Sequence, residues 1–100
     1  MNEQFVHYTE DQERQMLGAL LTDFSQGMLW KLLKKFDEGE TGWDNPEYFE
    51  SGDLEADLRE RIDALILTND PLKAVDIANF AMFMFYHMTV RQDENDTEEL

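Results

Sequence analysis

The segment that most constrains the fold is residues 75–87, VDIANFAMFMFYH, an almost wholly apolar run that contains three polar side chains. A helix advances by roughly 100° per residue, so Asp76, Asn79 and His87 fall on one face of a helix here. Because polar groups in a buried helix need partners, this stripe indicates either a structural hydrogen-bond network or a site. The segment falls short of the roughly 20 apolar residues of a membrane span, and its polar residues also argue against one. We therefore expect a buried helix in a soluble protein.

A first helix is predicted at the N-terminal side. Thr9 and Gln12 have the spacing of a capping box, in which each side chain bonds the backbone of the other. After Gly27 the apolar face turns by roughly a quarter of the circumference, which predicts either a kink or two helices that meet. The apolar positions of the first face are Leu17, Leu20, Leu21, Phe24 and Met28.

Two more helices complete the predicted fold. Asp53 is the expected N-cap of the segment LEADLRERIDALIL, and Asp70 followed by Pro71 predicts the start of a third helix that runs to about Val90. The short link between these helices predicts an antiparallel hairpin. The fold class expected is an all-α bundle of three to four helices in a single domain, residues 1–90, followed by an acidic disordered tail, residues 91–100. The expected buried face of the second helix is Leu54, Leu58, Ile62 and Leu65.

The charge balance restricts the classes of partner. The chain has 23 acidic and 8 basic residues, with a formal net charge of −15. This charge argues against direct binding to nucleic acid or to anionic membranes, since phosphate contacts need clustered lysine and arginine. A basic protein is the natural partner, and a surface that only keeps the chain soluble is the alternative. The absence of cysteine excludes thiol chemistry and fits a cytoplasmic location, and the first residues do not read as a secretory signal.

Aromatic residues and lysines form two further groups. Trp43, Tyr48 and Phe49 lie in the loop of residues 37–53, where they are expected to cover an edge of the core, with a recognition surface as the alternative. The three lysines near the end of the first helix are expected to compensate the helix dipole, and a binding role is the alternative. These lysines are Lys31, Lys34 and Lys35.

The last helix is apolar around most of its circumference. A small bundle cannot easily enclose such a helix on all sides, so we expect a homodimer in which a second copy covers part of it. Methionines suit such an adaptable interface. The candidate interface residues are Phe80, Met84, Phe85 and Met88.

The polar residues permit two chemical interpretations. No glycine-rich phosphate loop, serine elbow or zinc-spaced cluster is present, so nucleophilic catalysis has no support. Magnesium remains an alternative cofactor, with Glu60, Asp63 and Asp76 as candidate ligands, because this hard cation takes oxygen ligands. The favoured interpretation is structural: Arg61 projects from the apolar face of its helix and pairs with Asp76, while Asn79 and His87 belong to the same buried polar network.

Residues 42–87 resemble those of a known family. The segments GWD and VDIANFAMFMF, with the helix between them, resemble small MazG-like phage proteins. The resemblance implies the all-α fold of the nucleoside triphosphate pyrophosphohydrolases, which hydrolyse nucleotides with magnesium held by an acidic motif on each of two helices. Asp76 matches the aspartate of the second motif. Lys73 stands where that motif has a glutamate, and the first motif is approximated only by Glu60 and Asp63.

We therefore expect a non-enzymatic phage-type protein with no cofactor that acts by binding another protein. The target expected is a basic host protein in the cytoplasm, such as a nucleic-acid-binding defence factor whose site is blocked by carboxylates in place of phosphates. One alternative is a magnesium-dependent MazG-like nucleoside triphosphate pyrophosphohydrolase. The other is an oligomeric structural or regulatory helical protein.

Overall fold

The computed structural model describes residues 7–90, which form four helices and no strand. They are α1 (Glu10–Asp37), α2 (Pro46–Glu50), α3 (Asp53–Thr68) and α4 (Pro71–Met88). The predicted all-α class is confirmed. The predicted tail, residues 91–100, lies outside the described residues. No helix of the described part is long and apolar enough to cross a membrane.

The helix α1 is continuous for 28 residues. Its capping box is present: the Thr9 hydroxyl accepts from the Gln12 backbone N–H at 3.1 Å, and the Gln12 side chain accepts from the Thr9 backbone N–H at 2.9 Å. Of the two alternatives predicted near Gly27, a kink or two helices that meet, the second is wrong, because α1 continues through Gly27. A Cβ at Gly27 would lie 3.7 Å from Val75 Cγ2, an ordinary van der Waals distance, so Gly27 lies on the face of α1 that packs against α4.

The later helix ends are set by local residues. Asp70 accepts from the Leu72 backbone N–H at 3.0 Å, and Pro71 opens α4, as predicted. At α3 the N-cap is Gly52, not Asp53, because the backbone there has φ of 89°. A glycine adopts this left-handed conformation without steric cost, whereas Asp53 serves in the first turn of α3. The helix α4 ends at Met88, two residues before the predicted position.

The helix α4 contacts each of the other three helices, and α2 also contacts α3. The buried residues of α4 are Val75, Asn79, Phe83 and His87, which repeat every four positions along one stripe. Leu54 is the buried residue of α3, whereas Ile62 of the predicted buried face is 39% exposed. The core of the described residues is therefore small and lies along one face of α4.

No residue of α1 is buried. The described chain has a radius of gyration of 17.5 Å, whereas a compact domain of this length has about 13 Å. The N-terminal half of α1 is exposed almost throughout, and Leu17, Leu20 and Leu21 are 64–65% exposed. The fold thus leaves a large apolar surface on its longest helix.

Candidate functional site

Asp76 is the centre of a largely buried group of ion pairs in the structure of residues 7–90. Its Oδ1 lies 2.6 Å from Lys31 Nζ, and its Oδ2 lies 3.5 Å from Arg61 Nε. The side chains of Asp76 and Lys31 are only 13% and 15% exposed, whereas that of Arg61 is 34% exposed. One carboxylate therefore connects α1, α3 and α4, and two cations neutralise it.

Lys31 is the residue of this group that the sequence interpretation missed. Its charge was assigned to the end of the α1 dipole, but its ammonium group bonds Asp76 on α4. A helical wheel contains a signal for this contact, since Lys31 falls within roughly 40° of Gly27 on α1. Gly27 is the position that approaches Val75 of α4. Lys31 therefore shares the face of α1 that contacts α4.

Asn79 and His87 do not bond to Asp76 but to backbone carbonyls of other segments. Asn79 Nδ2 donates to the Met28 carbonyl oxygen at 3.2 Å, and His87 Nε2 lies 2.9 Å from the Trp43 carbonyl oxygen. A carbonyl only accepts, so His87 carries its proton on Nε2. Asn79 thus connects α4 to α1, and His87 connects α4 to the loop before α2.

The aromatic residues of the loop pack against α4. The Trp43 ring stacks on Phe83 with centroids 5.1 Å apart, and the Phe49 ring stacks on His87 at 5.2 Å. Tyr48 Oη donates to Asp57 Oδ2 on α3 at 2.5 Å. Burial of the Tyr48 side chain raises the pKa of its hydroxyl above the usual range, and the hydrogen bond to Asp57 raises this pKa further by a smaller amount. These contacts match the packing interpretation of the loop, although Trp43 remains 42% exposed.

A cavity of about 600 Å³ lies between α1, α3, α4 and this loop. Its volume is in the range of small-molecule sites. Its lining contains both charged groups and aromatic rings. The lining includes Lys31, Lys35, Trp43, Tyr48, Asp57, Glu60, Arg61, Asp76, Asn79, Phe80 and Phe83.

The candidate magnesium ligands do not form a metal centre. Glu60 and Asp76 line the cavity and Asp63 is exposed, but no group of three metal-ligating side chains occurs among residues 7–90. Lys31 and Arg61 occupy both oxygens of Asp76, and their positive charges oppose a divalent cation. The described residues therefore do not fit the magnesium that the MazG-like resemblance implies.

The candidate dimer residues of α4 divide into two sets. Phe85 and Met88 are 63% and 53% exposed, while Phe80 and Met84 are half-buried. Phe80 packs edge to face on Phe83 and lines the cavity. Sequence reasoning placed the interface on α4 alone and missed the larger exposed apolar surface of α1.

The MazG-like resemblance of residues 42–87 stays a prediction. Comparison of the chain with models of protein families, with curated proteins and with solved structures found no match.

Proposed function

We propose that this protein acts by binding other protein chains, first a second copy of itself, and not by catalysis. The observation that carries the proposal is the exposure of α1, a 28-residue helix with no buried residue. Helix propensity alone gives little stability in water, so amphipathic helices depend on packing of their apolar face. Seven large apolar residues of α1 are 54–65% exposed, and a second chain would bury them. They are Leu17, Leu20, Leu21, Leu29, Trp30, Leu33 and Phe36.

The distribution of charge supports a basic partner for the dimer. With a net charge of −15, the chain has few cations, and ion pairs within the chain engage several of them. Those in ion pairs are Lys31 and Arg61 with Asp76, Lys35 with Glu38 and Glu40, and Arg59 with Glu55. The remaining carboxylates present a surface that attracts a positively charged protein.

The partner we propose is a basic, nucleic-acid-binding protein of the host cytoplasm, whose phosphate site the carboxylates occupy. In this scheme the chain is a small phage-type inhibitor on a MazG-like framework, with α3 and α4 as its antiparallel hairpin. The absence of cysteine fits that reducing compartment. A MazG-like protein that lacks the magnesium ligands of the family would have the fold of that family without its hydrolytic activity.

Three measurements test the proposal. Light scattering at micromolar concentration should give the mass of a dimer, and a monomer would contradict self-association. Affinity capture from host lysate with mass spectrometry should yield a basic protein that is released by salt. Added protein should then displace nucleic acid from the purified partner. A dimer that captures no basic protein would instead favour a structural or regulatory role.

The second candidate function, hydrolysis of a nucleoside triphosphate, rests on the MazG-like resemblance and on the cavity, whose described residues do not fit the magnesium that the resemblance implies. Trp43 and Phe80 offer aromatic surfaces, and Lys31 and Arg61 bring positive charge to its wall. Magnesium-dependent release of pyrophosphate from a panel of nucleotides, lost in Asp76→Asn, would establish this activity and overturn the first proposal. Since Asp76→Asn also removes a structural ion pair, a folded variant must be verified by circular dichroism.

A further inference from the structure

Two carboxylates that line the cavity have no cation partner in the structure of residues 7–90. The charged lining residues are Lys31, Lys35, Arg61, Glu40, Asp57, Glu60 and Asp76. Each of the three cations already makes an ion pair within the chain. Asp57 accepts from the Tyr48 hydroxyl but makes no ion pair in this part of the chain, and neither does Glu60. These two residues are three positions apart, so α3 brings both carboxylates to one side of the cavity.

Aromatic rings and an unpaired acceptor also line the cavity. Trp43 stacks on Phe83 but remains 42% exposed, and Phe80 packs edge to face on the same Phe83 ring. Asn79 is only 6% exposed, and its Oδ1 has no hydrogen-bond partner among the described residues. A buried acceptor without a donor is destabilising, so an N–H group of a bound molecule would stabilise this side chain.

We propose that the cavity binds an arginine side chain of the basic partner protein. A guanidinium group is planar and weakly hydrated, stacks on aromatic rings and has five N–H donors. Trp43 supplies the ring, and Asp57 and Glu60 supply the carboxylates. A lysine fits less well, because its ammonium group is strongly hydrated and is not planar. The volume of about 600 Å³ suits a drug-sized ligand, so residues next to the arginine also enter the cavity.

This inference rests on the proposed basic partner, because it names the side chain by which that partner is recognised. The probe is a capped tripeptide with a central arginine, acetyl-Gly-Arg-Gly-amide. Its control has citrulline in the centre, which has nearly the same shape as arginine and no charge. Trp30→Phe leaves Trp43 as the one tryptophan of the full-length protein, so fluorescence reports on the cavity. We expect saturable binding of the arginine peptide and about tenfold weaker binding of the citrulline peptide.

A charge variant on α3 tests the carboxylates. Glu60→Gln should weaken binding of the arginine peptide by about fivefold, because it removes one ion pair with the guanidinium. Glu60 is exposed and makes no ion pair within residues 7–90, so the variant should fold normally. Glu13→Gln removes the same charge roughly 27 Å along α1 from Lys31 and should leave the Kd unchanged.

Several outcomes would overturn the inference. These are no saturable binding of the arginine peptide, equal binding of the citrulline peptide, and tighter binding of a peptide with a central glutamate. Tighter binding of free arginine than of the capped peptide would overturn the assignment to a protein partner.

The proposed function can fail separately from this inference. A basic protein captured from lysate equally well by Glu60→Gln and by the unchanged protein would overturn the inference while the proposed function stands. Saturable binding of the arginine peptide without capture of any basic protein would support the site in the cavity and overturn the proposed partner.

Discussion

Replacing Lys31 with methionine should destabilise the protein more than any other single change of a cation on α1. The change keeps the length of the side chain and removes the ammonium group that lies 2.6 Å from Asp76 Oδ1. Removing one partner of a buried ion pair costs about 3–5 kcal/mol, because the other charge stays buried. Asp76 retains Arg61 at 3.5 Å, so we expect a loss of about 2 kcal/mol for Lys31→Met. Arg61→Met should cost about 1 kcal/mol, since this partner is more exposed and more distant.

Urea unfolding followed by circular dichroism measures these losses. All variants must be compared at one protein concentration, because the stability of the proposed dimer would depend on it. Lys34→Met is the matched control, one turn along on α1, and should change stability by less than about 0.5 kcal/mol. The double change Lys31→Met with Asp76→Leu should cost less than the sum of the single changes, since only the more exposed Arg61 is left without its partner. A loss for Lys31→Met no larger than that for Lys34→Met would refute the assignment of Asp76 as a structural anchor.

Three further predictions concern other parts of the fold. Since the pKa of Tyr48 is raised by burial and by its hydrogen bond, the neutral phenol stabilises the folded state below about pH 10. That stabilisation should decline as the pH rises above this value, and alkaline unfolding curves should show a smaller decline in Tyr48→Phe. Gly52→Ala should lower the free energy of unfolding by about 1 kcal/mol, because residue 52 has a φ of 89°. Gly18 has open space around it, so Gly18→Ala should raise the free energy of unfolding by about 0.5–1 kcal/mol. Thermal unfolding measures both changes. Asn79→Asp replaces an amide donor with a carboxylate that faces a backbone carbonyl of α1, and it should cost about 2 kcal/mol by urea unfolding.

The local features of the fold could be predicted from the sequence because their partners are near in the chain. The capping box at Thr9 and the start of α4 at Asp70 each depend on residues within three positions. Gly52 and Asp53 are both good caps, and the choice between them depends on a backbone angle that composition does not determine.

The site was harder to predict because its contacts join distant segments. The wheels of two consecutive helices placed Arg61 and Asp76 towards each other, and they lie in contact. The position of Lys31 near the end of a helix already explains a lysine there, because its charge complements the helix dipole. Its contact with Asp76 on α4 appears only in the tertiary structure. The turn of the apolar face near Gly27 suggested a break in the helix. It reflects the fact that α4 covers only part of a continuous α1.

Because half of α1 is exposed, we expect the rate at which the protein is degraded to depend on its concentration. An isolated helical segment with three exposed leucines opens readily, and proteases cut chains in their open state. The proposed dimer would close that route, so the rate of proteolysis should fall as the protein concentration rises above the Kd of dimerisation. Newly made, dilute chains would then be degraded first, and the cell would accumulate the protein only above a threshold rate of synthesis.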